Sequence, residues 1–220
     1  GVLAMLAIVS VGATEGSPAL SALHDWAFLL GPGILPAVNA MLLAPALAGR
    51  ADVAVQLESA RQLKDAGFQA IPHVPARFVR DAEDLKSRIA ALAGAGVTEM
   101  LVLGGGAPQP IGSYDAALQL LETGVFQANG ITRIGLAGHP EGNPDITKIH
   151  GEAVLLKALK EKQAYLTANG IDGFIATQFL FEAAPVAEWA RTLRAEGVGL
   201  PIHVGVPGPA TIKTLVKYAT

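Results

Sequence analysis

Charged, helix-forming stretches alternate with short apolar runs along most of the chain, and a glycine stands at each junction. The junctions lie in KDAGFQAI at Gly67, ALAGAGVTEMLVL at Gly96, FQANGITRIGLA at Gly130, LTANGIDGFIA at Gly170 and LRAEGVGLPIHVG at Gly197. Glycine readily adopts the left-handed conformation that ends a helix, and a following apolar run suits a strand buried on both faces of a parallel sheet. The repeated order predicts an α/β protein.

Two earlier apolar runs, residues 6–14 and 34–43, raise the number of predicted strands to seven. Helices are predicted near residues 18–30, 52–66, 81–94, 113–123, 151–169, 182–196 and 209–219. Asp52 and Asp81 stand before two of these helices, where a carboxylate oxygen can accept hydrogen bonds from the first-turn amides.

Seven strand–helix units without a linker predict one domain over residues 1–220. The units favour a (β/α)₈ TIM barrel that ends one unit early, since that fold takes about 250 residues. The alternative is a doubly wound open sheet. It is weakened because no GxGxxG or GxxxxGK[ST] motif follows a predicted strand.

Composition narrows the class of ligand. The chain is 51% hydrophobic with a formal net charge of -3, so it lacks the basic footprint of a nucleic-acid-binding protein, and a small molecule is the better default. It has no cysteine, which excludes thiolate chemistry and agrees with a reducing, cytoplasmic location. The apolar amino-terminal region has no basic residue before it and is interrupted by Pro32, Pro36 and Pro45, so buried strands are favoured over a signal peptide or a membrane span.

Polar and glycine residues follow several predicted strands, where a barrel carries its active site. They are Glu15, His73, Gly104, Gly105, Gly106, the loop AGHPEGNPD with His139 and Asn143, Gln178 and His203. Glycines in such a loop let the backbone approach a ligand, while the polar side chains point into the pocket. Glu15 follows a long uncharged run, and burial there would raise its pKa as a general acid requires.

Each of these features also has a structural interpretation. His73 and His203 could be core histidines, Gln178 could satisfy strand backbone, Gly104–Gly106 could form only a tight turn, and AGHPEGNPD could be a solvated turn. The five histidines are scattered and have no close acidic partner, so no metal site is predicted. No GxSxG motif supports a serine hydrolase.

Two segments resemble the methylenetetrahydrofolate reductase family. AGHPEGNPD is similar to that family's A-x-Y/H-P-E-x-H/N-P loop, and IATQFLFE is similar to its I-T-Q-x-x-F segment, in the same order and separated by a helix. The resemblance implies a (β/α)₈ barrel that binds FAD at the carboxyl ends of its strands. It also implies reduction of 5,10-methylenetetrahydrofolate to 5-methyltetrahydrofolate, with NADH or NADPH as hydride donor.

The resemblance also implies roles for individual residues. Glu15 would protonate N10 of the folate, and Gln178 would hydrogen-bond its pterin ring. Tyr218 would stack on the substrate. The residues that match FAD contacts are His73, Tyr114, His139, Asn143 and Lys162, with Lys162 aligned to within one helical turn.

The chain departs from the family after the fourth predicted strand. The family has R-G-D there, whereas this chain has Gly104, Gly105 and Gly106 and so lacks a carboxylate that stabilises the charged iminium. Glu141 or Asp145 could replace it. Two alternatives therefore remain: a folate reductase that works without flavin, or a non-catalytic folate-binding subunit of a methyl-transfer system. A barrel without its eighth strand would need cover from a partner subunit or a second copy.

Overall fold

The computed structural model describes residues 6–9, 38–41, 53–65, 69–151, 153–180 and 182–205. The helices predicted near 18–30 and 209–219 lie outside these ranges. So do the candidate N-cap Asp52, the junction glycine Gly67 and the two candidate site residues Glu15 and Tyr218.

The described residues contain all seven predicted strands. They are β1 (Leu6–Val9), β2 (Val38–Met41), β3 (His73–Pro75), β4 (Glu99–Leu103), β5 (Arg133–Gly138), β6 (Asp172–Phe179) and β7 (Ile202–Gly205). They form one sheet in the order β2-β1-β7-β6-β5-β4-β3. The strands β3 to β7 are mutually parallel, so the prediction of an α/β protein with a parallel sheet is confirmed.

The first strand departs from the repeated strand–helix pattern. β1 runs antiparallel to both of its neighbours, β2 and β7, whereas every strand of a (β/α) barrel is parallel to the next. Pairing between β2 and β3, which would close the ring, is not present among the described residues. The architecture is therefore a five-stranded parallel sheet extended on one side by an antiparallel pair.

Helices connect the parallel strands. They are α1 (Val53–Asp65), α2 (Ala82–Gly94), α3 (Ala117–Leu121), α4 (Val125–Ala128), α5 (Pro144–His150), α6 (Ala153–Ala168) and α7 (Ala183–Ala195), with a 3₁₀ turn at Ala76–Phe78. The helix predicted at 113–123 is shorter and corresponds to α3 alone, and the additional short helix α4 begins after Gly124, whose φ is 70°. No helix within the described ranges is long and apolar enough to cross a membrane.

The helix ends marked by Asp81 and by four of the junction glycines are confirmed. Asp81 accepts a hydrogen bond from the Asp84 amide at 2.8 Å and caps α2. Gly96, Gly130, Gly170 and Gly197 all have positive φ, between 63° and 84°. A side chain at such a position is strained, so glycine is what allows each helix to stop and the next strand to begin.

The two faces of the parallel sheet bury different sets of side chains. Met100 and Val102 of β4 pack with the helices in the larger core cluster, which we call the helix-side core. Leu101 packs on the opposite face with Phe174 and Ala176. All of these side chains are buried, as expected for parallel strands covered on both faces.

Candidate functional site

Three of the predicted site segments lie at the same edge of the sheet. Gly104–Gly106 follow β4, His139 follows β5, and Gln178 lies near the end of β6. β4, β5 and β6 are parallel neighbours, so their carboxyl ends meet at one edge. We call this the carboxyl edge. It is where open and closed parallel sheets both bind ligands.

His139 is held in place by the end of β5. A Cβ added to Gly138 would come within 2.5 Å of Ile175 Cγ2 and 2.7 Å of Trp189 Cη2, so only glycine lets the strand pass there. The Gly142 amide donates to the His139 carbonyl at 3.0 Å and closes a turn. The His139 Nδ1 atom is buried and has no hydrogen-bond partner among the described residues. Such an atom is available to a ligand.

Lys162 on α6 lies close enough to act on His139. Burial lowers the pKa of His139, and the positive charge of Lys162 lowers it further. Burial also lowers the pKa of Lys162 itself to about 8, although the neighbouring Glu161 carboxylate counteracts part of that effect. At neutral pH the site therefore pairs a neutral imidazole with a partly desolvated cation.

The AGHPEGNPD segment is less irregular than its composition predicts. Its first two residues are the last two of β5, and Pro144 and Asp145 begin α5, where a proline at the first position is well tolerated. The irregular part is the short stretch from His139 to Asn143. Asn143 stands at the N-cap position, but its side chain makes no capping hydrogen bond. Glu141 and Asp145 are both exposed.

Arg77, which belongs to none of the predicted site segments, organises the loop that follows β4. Its amide donates to the Gly104 carbonyl at 2.9 Å, its Nη1 donates to the Ala107 carbonyl at 2.9 Å, and its Nε lies 2.8 Å from Asp115 Oδ1. Gly105 has a φ of 93° and sits where a Cβ would come within 3.0 Å of Pro75 Cβ. The turn thus favours glycine on steric grounds at Gly105, the middle residue of the triglycine.

His73 and Tyr114 are less directly connected with the carboxyl edge. His73 was predicted to follow the third strand, but β3 begins beyond the apolar run FQAI, and His73 is its first residue, paired with Leu101 in the middle of β4. The prediction missed this because β3 is only three residues long and begins after Pro72, which cannot donate to a ladder. Burial lowers the pKa of His73 to about 4. Its Nε2 atom has no hydrogen-bond partner in the described part of the chain. Tyr114 packs partly buried against the helix-side core.

Thr177 was also not singled out, although it precedes Gln178 in the ATQF segment. Thr177 is buried, whereas Gln178 is exposed. The pairing of β6 with β7 is irregular between Ala176 and Phe179. A single buried threonine has no distinctive sequence signal, so only the pairing of β6 with β7 shows that Thr177 lies at this irregularity.

A different polar cluster occupies the amino edge, where the parallel strands begin. Arg133 lies 3.1 Å from Glu99 Oε2 and 3.1 Å from Asp172 Oδ2, and its guanidinium stands 4.7 Å from the centre of the Phe174 ring. His203 stacks on Phe174 with ring centres 4.4 Å apart, and its Nε2 lies 3.4 Å from Arg133 Nη2. His203 is 4% exposed, which confirms its interpretation as a core histidine.

A cleft of about 370 Å³ opens beside the amino edge, between α1 and the start of β4. Its polar side chains already have protein partners: Lys64 Nζ donates to the Ala95 carbonyl at 3.4 Å, and Gln69 Nε2 donates to Glu99 Oε1 at 2.5 Å. This cleft is remote from the predicted site and offers fewer unsatisfied groups than the carboxyl edge.

The chain is thus an α/β protein with a polar, glycine-rich carboxyl edge on a five-stranded parallel sheet. No protein-family model matches it. Within the described ranges, no group of three or more histidine or acidic side chains could hold a metal ion.

Proposed function

We propose that this protein reduces a folate-bound one-carbon unit, in the manner of a methylenetetrahydrofolate reductase. The observation that carries the proposal is the carboxyl edge itself. Residues far apart in sequence, from Gly104 to Gln178, lie at the ends of three neighbouring parallel strands, and the charge of Lys162 lowers the pKa of His139 there. The two segments that resemble the reductase family, AGHPEGNPD and IATQFLFE, contribute to this one edge.

The second part of the proposal is that the parallel sheet belongs to a (β/α) barrel. The strand order is that of a seven-stranded ring opened between β2 and β3. The antiparallel pairing of β1 with β2 and β7 argues against a barrel. In a closed ring, nuclear Overhauser effects should connect backbone amides of β2 and β3. Fast amide exchange along a free edge of β3 would contradict closure.

The polar groups of the carboxyl edge fit a phosphate-bearing cofactor such as FAD. His139 has a buried ring nitrogen without a partner among the described residues, Lys162 supplies a positive charge, and the Asn143 side chain makes no capping hydrogen bond. These three residues would hold the cofactor. When bound, the flavin supplies the hydride chemistry, and the protein contributes binding and electrostatics.

The chain's own residues would then act on the folate. Gln178 is exposed at the carboxyl edge and can both donate and accept, as recognition of a pterin edge requires. Glu15 would donate the proton that opens the five-membered ring at N10. NADH or NADPH would be the hydride donor.

A second candidate is a folate reductase that uses no flavin, with hydride passing directly from the nicotinamide. The triglycine after β4 favours it, because Gly104–Gly106 bring no charged side chain to the edge. The next carboxylate along the chain, Asp115, already pairs with Arg77. This loop therefore offers a bound flavin no contact with an unpaired carboxylate.

Spectroscopy and turnover together test these proposals. Purified protein with bound flavin should absorb at roughly 450 nm. It should oxidise NADH or NADPH when methylenetetrahydrofolate is added, and Glu15→Gln should abolish that turnover while retaining folate binding. Colourless protein with turnover would support the flavin-independent reaction. Folate binding without turnover in either protein would support a binding subunit, and absence of folate binding would refute all three.

A further inference from the structure

An extra residue interrupts β6 where it passes β7. Ala176 pairs with His203 and Phe179 pairs with Gly205, so three steps along β6 match two steps along β7. This is a β-bulge, which bends a strand and changes the direction of the side chains that follow it. The residues in the bulge are Thr177 and Gln178.

The bulge changes which residues of the β6 segment face the helices. Before it, Ile175 packs in the helix-side core and the even-numbered Phe174 and Ala176 pack on the opposite face. After it, the even-numbered Leu180 belongs to the helix-side core. Side chains alternate along a regular strand, so this change of parity just beyond the end of β6 agrees with the extra residue that the pairing shows. The exposed Gln178 lies within the bulge, where the direction of the side chains changes.

Two hydrogen bonds of the Thr177 hydroxyl hold the bulge. Its Oγ1 accepts from the Gly205 amide at 2.9 Å and donates to the Gln178 carbonyl at 2.7 Å. Thr177 is 4% exposed, so the bonds are shielded from water. A buried hydroxyl that satisfies two backbone groups holds them in one arrangement.

Gly205, on the neighbouring strand β7, fits closely against the backbone of the bulge. A Cβ at this position would lie 2.8 Å from the Gln178 carbonyl oxygen and 2.9 Å from the Thr177 carbonyl oxygen. The Gly205 carbonyl also accepts from the Leu180 amide at 3.1 Å, which secures the far side of the bulge. The absence of a side chain at Gly205 thus lets β7 approach the bulged backbone.

We infer that Thr177, clamped against Gly205, is the positioning residue that presents Gln178 to the ligand at the carboxyl edge. The identity of the ligand rests on the proposed function. The contacts between Thr177 and Gly205, which we call the clamp, do not depend on it. Thr177 makes no contact with the ligand in this inference. It acts by holding the Gln178 backbone in the bulged conformation.

The test compares variants that remove the hydroxyl, keep it, or remove the glutamine. Thr177→Val has nearly the same shape without the hydroxyl, Thr177→Ser keeps the hydroxyl, and Gln178→Ala removes the presented group. Circular dichroism checks the fold of each. Exchange of the Gly205 amide and the signals of the Gln178 side-chain amide, both followed by nuclear magnetic resonance, report on the clamp without any ligand.

Thr177→Val should speed exchange at Gly205 about 3- to 10-fold, as expected for one lost hydrogen bond, and shift the Gln178 signals. Thr177→Ser should restore both. Gly205→Ala gives a second disruption of the same clamp and should also shift the Gln178 signals. Unchanged exchange and unchanged Gln178 signals in Thr177→Val would overturn the inference whatever the protein binds.

Affinity for 5-methyltetrahydrofolate then tests whether Thr177 acts through Gln178. We expect Thr177→Val to weaken binding about 3- to 10-fold. The double variant Thr177→Val/Gln178→Ala should bind no more weakly than Gln178→Ala alone, since coupled residues are not additive. Fully additive losses would contradict a positioning role. Failure of the wild type to bind folate, with the clamp intact, would refute the proposed function and leave the bulge assignment supported.

Discussion

The polar side chains at the two edges of the parallel sheet differ in whether they have partners within the protein. At the amino edge, Arg133 is surrounded by Glu99, Asp172, the Phe174 ring and His203, so each group has a protein partner. At the carboxyl edge, the buried Nδ1 of His139 has no partner among the described residues, and burial lowers the pKa of Lys162. The cation of the amino edge is paired with two carboxylates, whereas the buried imidazole nitrogen of the carboxyl edge has no partner within the described ranges.

This difference concerns how far each polar group is compensated by partners within the protein. A partly buried charge with well-placed partners can contribute to stability, while one that lacks compensation reduces it. Groups that reduce stability persist where they serve binding or catalysis, because natural proteins tolerate that loss at functional sites. The comparison therefore favours the carboxyl edge as the site. Substitutions at the two edges should change the free energy of unfolding in opposite directions.

The largest effect is expected at the amino edge. Arg133→Met keeps the hydrocarbon stem but leaves the Glu99 carboxylate, 12% exposed, without its cation. We expect a loss of about 2–4 kcal/mol in the free energy of unfolding. Urea denaturation measures it. The control is Lys157→Met, whose exposed pair with Glu161 at 3.7 Å should contribute less than about 0.5 kcal/mol. Equal effects of the two substitutions would remove the contrast between the edges.

A smaller effect of opposite sign is expected at the carboxyl edge. The pKa of Lys162 is about 8 in the folded protein, against an ordinary value of 10.5, so the folded state disfavours its charge. Lys162→Met should therefore raise the free energy of unfolding by about 1–3 kcal/mol at pH 7. It should also bring the pKa of His139 closer to its ordinary value, since the repelling charge is gone.

The pH dependence of the Lys162 effect gives its sign independently. Between pH 8 and 10.5 the unfolded chain holds a proton on this lysine that the folded protein has released, so the stability of the wild type rises with pH there. The advantage of Lys162→Met is thus full below pH 8 and fades as pH approaches 10.5. Denaturation at several pH values checks this, with Lys157→Met as the exposed control. A destabilised Lys162→Met protein at pH 7 would contradict the interpretation.

The smallest change in stability is expected for Gln178→Ala. Gln178 is exposed, and truncation of an exposed side chain usually changes the free energy of unfolding by less than about 0.5 kcal/mol. Under the proposed function, the same substitution should weaken binding of 5-methyltetrahydrofolate. Thermal denaturation and a folate titration measure the two effects. A large loss of stability with unchanged affinity would make Gln178 a structural residue.

Much of the fold could be predicted because its signals are local. The left-handed conformation needed at Gly96, Gly130, Gly170 and Gly197 is a property of single residues, and the cap at Asp81 depends on a partner three residues away. Strand direction was less predictable. β1 is apolar like its neighbours but antiparallel to them, and hydrophobicity carries no information on direction.

The candidate site was predicted only in part, for related reasons. The positions at the carboxyl ends of β4, β5 and β6 followed from the strand periodicity, and so did the clustering of Gly104, His139 and Gln178 at one edge. His73 was predicted to follow the third strand but begins it, since three residues are too few for periodicity to locate a strand. Arg77 and Thr177 act through backbone groups 27 and 28 residues away, which no local pattern encodes.

The sequence by itself determined the class of fold and the edge of the sheet at which the polar, glycine-rich segments lie, since residue conformations and hydrophobic periodicity are local properties. Tertiary structure alone decided which polar groups are satisfied. Glu99, Arg133 and Asp172 begin three different strands and neutralise one another only when the sheet aligns them. His139 and Lys162 meet only when α6 packs beside β5, where burial removes the water that would otherwise solvate both.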